Sequence, residues 1–586
     1  MSCVSSTYSF CSPVMASKVN PERRTIKIPV LYSSFRPYFT YFVSFVQVVI
    51  LVLACAGYGF APVGLNMEHE VISEVLLSSL AFEHVCRIED ENLWIGPRQA
   101  DLIRIGARYS PCMRADATLY YRFTEAQKKW DRIGCCVRND GEGCHQTSRM
   151  KCPRATSMWL RRVPPDLDAD ELMLDQSTNK NDDKKLKIQS SLNHPLSEIG
   201  PVCGLDPEFC EEPRSTGPFA WSRTDVTEWP ICQRSVNVSV AIGYADHMRC
   251  EVIARPCCVG VKGECIITTV AHCTFLRGHY HADAALCSQV NCLEEICGMM
   301  PFLKKGQPDQ LYRIYVSLFL HAGIIHLALS LIIQLFLMRN LEKLLGWLRI
   351  ALIYILSGCF SSLASAIMLP YHVHTGPTGA HFALFGVVFV DYLQTHDIFT
   401  SPWTAILQQV LSIFGVLFVG FLPWLDNYAH ISGFISGVLL SYVFVPYLGF
   451  GSVKLPPGIL AADRPTTKKS KKRSKRKGSK KKGEKKKKRK ISSAPITFGD
   501  DDQAERSAAQ LETLLHLMQS HRRKVVLGCS LLWTALFITL LVVFLRFPLR
   551  SCVWCKYLNC LPWTENICDK LEIDVFAPTQ CIYPLV

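Results

Sequence analysis

The sequence predicts an all-α polytopic membrane protein. Six helices form a core, one extra transmembrane helix follows toward the C-terminus, and a disulfide-rich luminal domain is inserted between helices one and two. Three observations predict this. Long charge-free runs recur along the 586 residues, 17 of the 27 cysteines crowd into residues 69–305, and Lys and Arg gather beside alternate apolar runs. An apolar fraction of 49% beside 19% charged residues fits a chain built in segregated blocks.

Residues 1–36 form a cytosolic N-terminal segment. Lys18, Arg23, Arg24, Lys27 and Arg36 precede the first apolar run, and Lys/Arg in short flanking segments mark the cytosolic side. No cleavable signal peptide is visible there, so helix one, within 37–67, is expected to act as the signal anchor.

Residues 68–310 are expected to be the cysteine-rich luminal domain. Disulfides persist in oxidising compartments, so its 17 cysteines, and the five from Cys552 to Cys581, agree with the orientation drawn from charge. Their connectivity does not follow from sequence. Cys552 and Cys555 form a CxxC without a second matching pair, which favours disulfides over zinc. No metal and no other cofactor are expected. Asn237-Val238-Ser239 is the chain's one N-x-S/T sequon and a candidate glycosylation site. Residues 164–191 are polar, highly charged and free of aromatics and cysteine, so they read as a flexible insertion.

Residues 311–450 are assigned to helices two to six. A span needs about 20 mostly apolar residues, and the run from Ile350 to Val390 is twice that length. Pro370, Gly376 and Pro377 break it into two helices. Arg339, Lys343 and Arg349 fall on the cytosolic turn between helices two and three. Residues 451–523 are a cytosolic linker in which Lys468 to Lys490 carries 17 Lys/Arg and one Glu. That run accounts for the formal net charge of +14 and leaves the rest of the chain slightly acidic. Its Lys, Ser and Gly without aromatics suit a solvated linker, with contact to anionic lipid as an addition. Nucleic-acid binding is not expected. Helix seven occupies 524–546, and a luminal cysteine-containing tail covers 547–586.

Polar residues inside spans are costly and so are functional candidates. Helix two carries His321, His326 and Ser330; helix four opens with Gly376-Pro377-Thr378-Gly379 and continues to Gly386; helix six carries His430, Gly433 and Gly437. The last three share one helix face, and Gly379 and Gly386 are likewise seven apart. Small residues let membrane helices approach closely, so a hydroxyl and an imidazole can meet at one depth. The same residues also fit packing glycines beside an incidental histidine, and spacing alone leaves both readings open.

These segments resemble the rhomboid intramembrane serine proteases, whose signature is G-x-S-G on helix four and A-H-x-x-G-x-x-x-G on helix six. The second is complete from Ala429 to Gly437, while the first has Thr378 at the serine position. The family's H-x-x-x-N on helix two stands here as His326 to Ser330. The inactive rhomboid branch is closer still, because it inserts a proline before the nucleophile and carries a large cysteine-rich luminal loop. Gly134-Cys135-Cys136-Val137, Trp229-Pro230-Ile231-Cys232, Arg255-Pro256-Cys257-Cys258 and Pro308-Asp309-Gln310-Leu311-Tyr312-Arg313 resemble its stretches. So does Leu422-Pro423-Trp424-Leu425-Asp426, and the similarity runs over roughly residues 35–450 and resumes at helix seven.

The resemblance implies a rhomboid core in which no residue is catalytic. Thr378 is the vestigial nucleophile position, His430 the vestigial base, and His326 and Ser330 the vestigial oxyanion positions. Gly376, Gly379, Gly386, Gly433 and Gly437 are the expected helix-packing residues. The threonine methyl restricts χ1, Pro377 removes an N–H beside the oxyanion site, and Ser330 lacks the amide donor of Asn. Losing one such donor costs about 10²–10³ in rate. The family's function, carried over as an expectation, is to bind client single-pass transmembrane proteins in the endoplasmic reticulum and control their export or degradation. Growth-factor precursors and an ADAM-type metalloprotease are the implied clients. The regulation attributed to a long cytosolic N-terminal domain is not carried over, since about 36 residues precede helix one. The alternative is an active endopeptidase using Thr378 and His430. A transporter has little support, because neither internal repeats nor a chain of intramembrane carboxylates is visible.

Overall fold

A computed structural model describes residues 35–64, 69–116, 133–160 (without 142), 202–205, 210–213, 229, 231–235, 246–304, 306–395, 402–421, 425–445, 501–548 and 555–560. The insertion 164–191, the sequon at Asn237, the basic run 468–490 and Cys552 lie outside the described residues.

Among the described residues seven helices of at least 18 residues dominate. They are α1 (Tyr38–Tyr58), α2 (Ile324–Leu345), α3 (Trp347–Met368), α4 (Thr378–Thr395), α5 (Pro402–Val419), α6 (Asn427–Phe444) and α7 (Asp501–Arg546). By length and composition α1, α2, α3 and the His521–Arg546 part of α7 are apolar enough to cross a membrane. Two bounds differ from the sequence reading. Helix α1 stops at Tyr58, where Gly59 takes φ +75°, a left-handed conformation that favours glycine. Helix α7 starts at Asp501, inside the segment read as linker; Ala, Leu, Glu and Gln there are good helix formers, and charge alone hid them.

Helices α4 and α6 meet along their glycines. A Cβ on Gly433 would strike the backbone of Gly379, one on Gly437 the backbone of Ala383, and one on Gly386 would lie 2.9 Å from Phe434 O. Bare backbone on both sides is what permits this approach. Helix α3 packs behind them, and α7 joins through Trp533, whose Nε1 donates to Ser436 Oγ at 2.7 Å while Ser436 donates to Ser357 at 2.9 Å.

A polar network stitches α1 to α4. Gln334 Nε2 donates to Gln47 Oε1 (2.8 Å) and lies 3.3 Å from both Tyr354 Oη and His381 Nε2. Gln334 also accepts from Ser44 at 2.7 Å. At the other end of α2, the buried Glu342 carboxylate accepts from the backbone N–H of Phe39 and Thr40, both at 2.8 Å. These are orphan donors of the first turn of α1, and a carboxylate there also suits the helix dipole.

The described part of the cysteine-rich region joins short helices to small antiparallel sheets. They pair β1 (His69–Leu76) with β2 (Phe82–Glu89), set β3 (Gly134–Arg138) between β4 (Cys144–Thr147) and β5 (Ser157–Trp159), and pair β6 (Cys210–Pro213) with β7 (Cys232–Ser235). The last sheet sets β8 (Arg255–Val259) between β9 (Glu264–Thr268) and β10 (His279–Tyr280). Eight disulfides staple these elements: 112–297, 135–203, 136–152, 144–250, 210–232, 257–273, 258–292 and 265–287. Cys86, Cys555 and Cys560 are disulfide-bonded as well. Among the described residues the free cysteines are Cys55, Cys359 and Cys529, all within long helices.

Candidate functional site

Helices α4 and α6 bring the predicted residues together at their N-terminal ends. Thr378 opens α4, His430 lies in the first turn of α6, and both are buried. Phe382, one turn beyond Thr378, stacks on the His430 imidazole with centroids 4.2 Å apart and planes at 12°. His326 and Ser330 are buried on α2.

Gly376 needs a correction, because it is not on a packing face. It lies in the loop before α4 at φ +94°, and a Cβ there would sit 2.7 Å from His326 Cε1. Its glycine identity therefore answers to backbone conformation and to the close approach of the histidine ring. Gly376 N–H donates to Ser317 O at 2.9 Å, and the Pro377 carbonyl accepts from His381 N–H at 2.9 Å, so the proline sits where a helix start tolerates it.

The nucleophile–base contact is missing. Thr378 Oγ1 has no hydrogen-bond partner among the described residues, and neither has His326 Nε2. His430 Nδ1 lies instead 3.0 Å from Asn427 Oδ1. Asn427 Nδ2 donates to Leu558 O at 2.8 Å, which turns its oxygen toward the ring. Nδ1 is thus the protonated nitrogen and Nε2 the other. The base position is oriented, yet it makes no hydrogen bond to the hydroxyl.

Sequence reasoning missed what encloses this centre. Arg108, from the cysteine-rich region, exchanges backbone hydrogen bonds with His374 (3.0 and 3.1 Å) in the loop leading to Thr378. Its side chain lies 3.7 Å from the Asp426 carboxylate, with both fully buried. Burial pushes the Arg108 guanidinium down to about 10, and Asp426 opposes that shift. Asp426 caps α6 through Tyr428 N–H at 2.8 Å and also accepts from Ser365 Oγ and from Asn559 Nδ2 (3.1 Å). Asn559 Oδ1 in turn accepts from Asn427 N–H at 3.0 Å. Trp94 covers His326, with ring centroids 5.3 Å apart. A lone Arg in a loop and an Asn in the short helix Lys556–Asn559 carry no spacing signal. Asp426 stood in the matched motif, but its partners did not.

Among the described residues, no group of three His, Cys, Asp or Glu ligand atoms converges at this centre. Sulfurs of Cys135, Cys144 and Cys203 do converge, but each is consumed in a disulfide.

Comparison with known proteins agrees with this architecture. Residues 308–447 match the Rhomboid domain. Inactive rhomboid protein 1 of Homo sapiens is 36% identical over 539 residues, 92% of this chain and 52% of its own length. The same protein of Danio rerio is 36% identical over 544 residues, again 92% and 52%. Inactive rhomboid protein 2 of Homo sapiens is 36% identical over 546 residues, 93% and 53%. The chain therefore spans about half the length of the curated relatives it matches. Buried glycine packing, a threonine behind a proline and a disulfide-rich region seated over both complete the case: the chain is a membrane protein belonging to the inactive rhomboid family.

Proposed function

We propose that the chain is a non-catalytic rhomboid-like regulator that binds client transmembrane proteins in the secretory pathway and governs their export or degradation. One observation carries the loss of catalysis. The buried Thr378 hydroxyl makes no hydrogen bond to His430, and a general base has to reach the proton it removes. Pro377 adds a missing N–H beside it.

The proposal includes seven spans, α1 to α7, with residues 1–36 and the basic linker cytosolic. The cysteine-rich region and the tail then face the lumen of the endoplasmic reticulum, the compartment in which disulfides form. On this topology Asn237 is available for glycosylation, and Lys468–Lys490 lies against anionic lipid. Growth-factor precursors and ADAM-type metalloproteases are the proposed clients, on family resemblance alone.

The test is cleavage of a helix-destabilised transmembrane substrate by the purified chain, comparing wild type with Thr378→Ala. We expect no product above background from either. Product that vanishes in Thr378→Ala would overturn the reading. Co-precipitation of a client that persists in Thr378→Ala and His430→Ala would support it.

A further inference from the structure

We propose that His279, His281 and Glu295 in the cysteine-rich region form a surface site for a divalent transition-metal ion, with Zn²⁺ as the favoured occupant. One ligand atom from each of the three converges, all within 4.8 Å of one another. His279 Nε2 lies 3.6 Å from Glu295 Oε2. Two ligands on a tetrahedral zinc with bonds of about 2.0–2.1 Å stand roughly 3.4 Å apart, so this edge is already near its bound length.

The pattern follows from local structure. His279 lies in β10 and His281 just beyond it, where its N–H donates to Pro256 O of β8 at 2.9 Å, and alternate residues of such an extended run share a face. Their rings meet edge-on, with centroids 4.8 Å apart. Glu295 comes from the short helix Cys292–Cys297. Covalent bonds hold strand and helix in register. His279 pairs with Cys258 in the β8–β10 ladder, and Cys258 is disulfide-bonded to Cys292 at the start of that helix. Its other end is fixed by Cys297 to Cys112. Ligands are thereby positioned before any ion arrives, as a functional metal site requires.

The ion pair with Glu295 is made by His279, while His281 Nε2 lies 3.4 Å from the disulfide sulfur of Cys258, a weak partner that an ion can replace. Arg104 Nη2 is 3.9 Å from Glu295 Oε2 and 43% exposed, so it is free to swing into solvent. Two imidazoles and a carboxylate suit zinc, nickel or copper and not calcium, which takes six to eight oxygens. Three protein ligands leave the fourth position open to water, as in sites that exchange ligands. The sequence reading, which expected no metal, weighed only the cysteines. The H-x-H at 279–281 was the signal available.

The test uses the full chain in detergent, purified with an affinity tag free of histidine and stripped with chelator. Zn²⁺ bound per chain is measured by competition with a chromophoric chelator, and Co²⁺ is added in parallel to read its tetrahedral visible bands. We expect one more Zn²⁺ in wild type than in H279Q/H281Q, and at least tenfold weaker binding in Glu295→Gln, where one oxygen ligand loses its charge. His69→Gln, outside the site, is expected to match wild type. Ca²⁺ in excess is expected not to compete. Zn²⁺ is expected to raise the thermal midpoint of wild type and not of H279Q/H281Q, and the midpoints without metal report whether the variants fold. Equal Zn²⁺ in wild type and H279Q/H281Q, absence of the Co²⁺ bands, or equal loss in His69→Gln would each overturn the site.

Discussion

In the cysteine-rich region, strands of two to eight residues are joined by disulfides that reach across as many as 185 residues. In the helical core no disulfide is present among the described residues; α4 and α6 meet on bare glycine backbone, and buried polar groups such as Gln47 and Gln334 tie α1 to α2. Short strands on small sheets cannot bury enough apolar surface to cover the entropy of ordering, so covalent links restrict the unfolded chain instead. Long apolar helices face the opposite constraint. Apolar burial does not distinguish a helix partner from lipid, so close packing and hydrogen bonds must do so. The junction between the regions combines bare backbone with buried charge: Gly96 and Gly323 let the two backbones approach, and the N–H groups of Ile324 and Ile325 donate to Ile95 O (3.0 Å) and Trp94 O (3.2 Å). Arg108 and Asp426 form a buried ion pair there.

The largest effect is expected at that junction. Asp426→Asn keeps a capping side chain on α6 but strands a buried guanidinium whose Nε and Nη1 have no partner among the described residues, at a cost of about 3–5 kcal/mol. Arg108→Met is expected to cost less, because the carboxylate keeps Ser365, Asn559 and two backbone donors. The double variant R108M/D426N is expected to melt closer to wild type than Asp426→Asn does. Thermal aggregation in detergent measures all three, and additive losses would show that the pair is not coupled. Next comes C112A/C297A, which removes the staple nearest the core and is expected to cost about 2–4 kcal/mol. The same change at Cys210 and Cys232, which closes only 22 residues, is expected to cost less by limited proteolysis of the region. If the two cost the same, chain restriction is not what the staples supply. The smallest effect is Gly437→Ala, whose Cβ would lie 2.7 Å from Ala383 C, with an expected loss of about 1–3 kcal/mol. A Gly437→Ala chain as heat-resistant as wild type would show that α4 and α6 are not packed on bare backbone.

What the sequence made legible was local. Charge-free runs mark spans because apolar length is a property of one segment, and Ala429 to Gly437 identifies a helix face because its spacing is periodic. Gly376 looked like part of the same pattern, yet its role depends on φ and on a histidine 50 residues earlier. Gln47 and Gln334 are 287 residues apart, and no periodicity links them. Each was visible as a polar residue in an apolar run, but its partner was not. The same holds for Arg108, whose partner Asp426 stands in another region, and for every disulfide pairing.

Asn559 adds an order of events to this picture. Asn427 N–H waits for an acceptor 132 residues further along the chain. At about 5–20 residues per second of synthesis, that partner emerges roughly 7–26 s after the helix it completes. During this interval the start of α6 is open, with Asp426 short of one donor and the Asn427 side chain without its Leu558 anchor. A nascent chain stalled before residue 559 thus exposes a polar helix end that the finished protein hides.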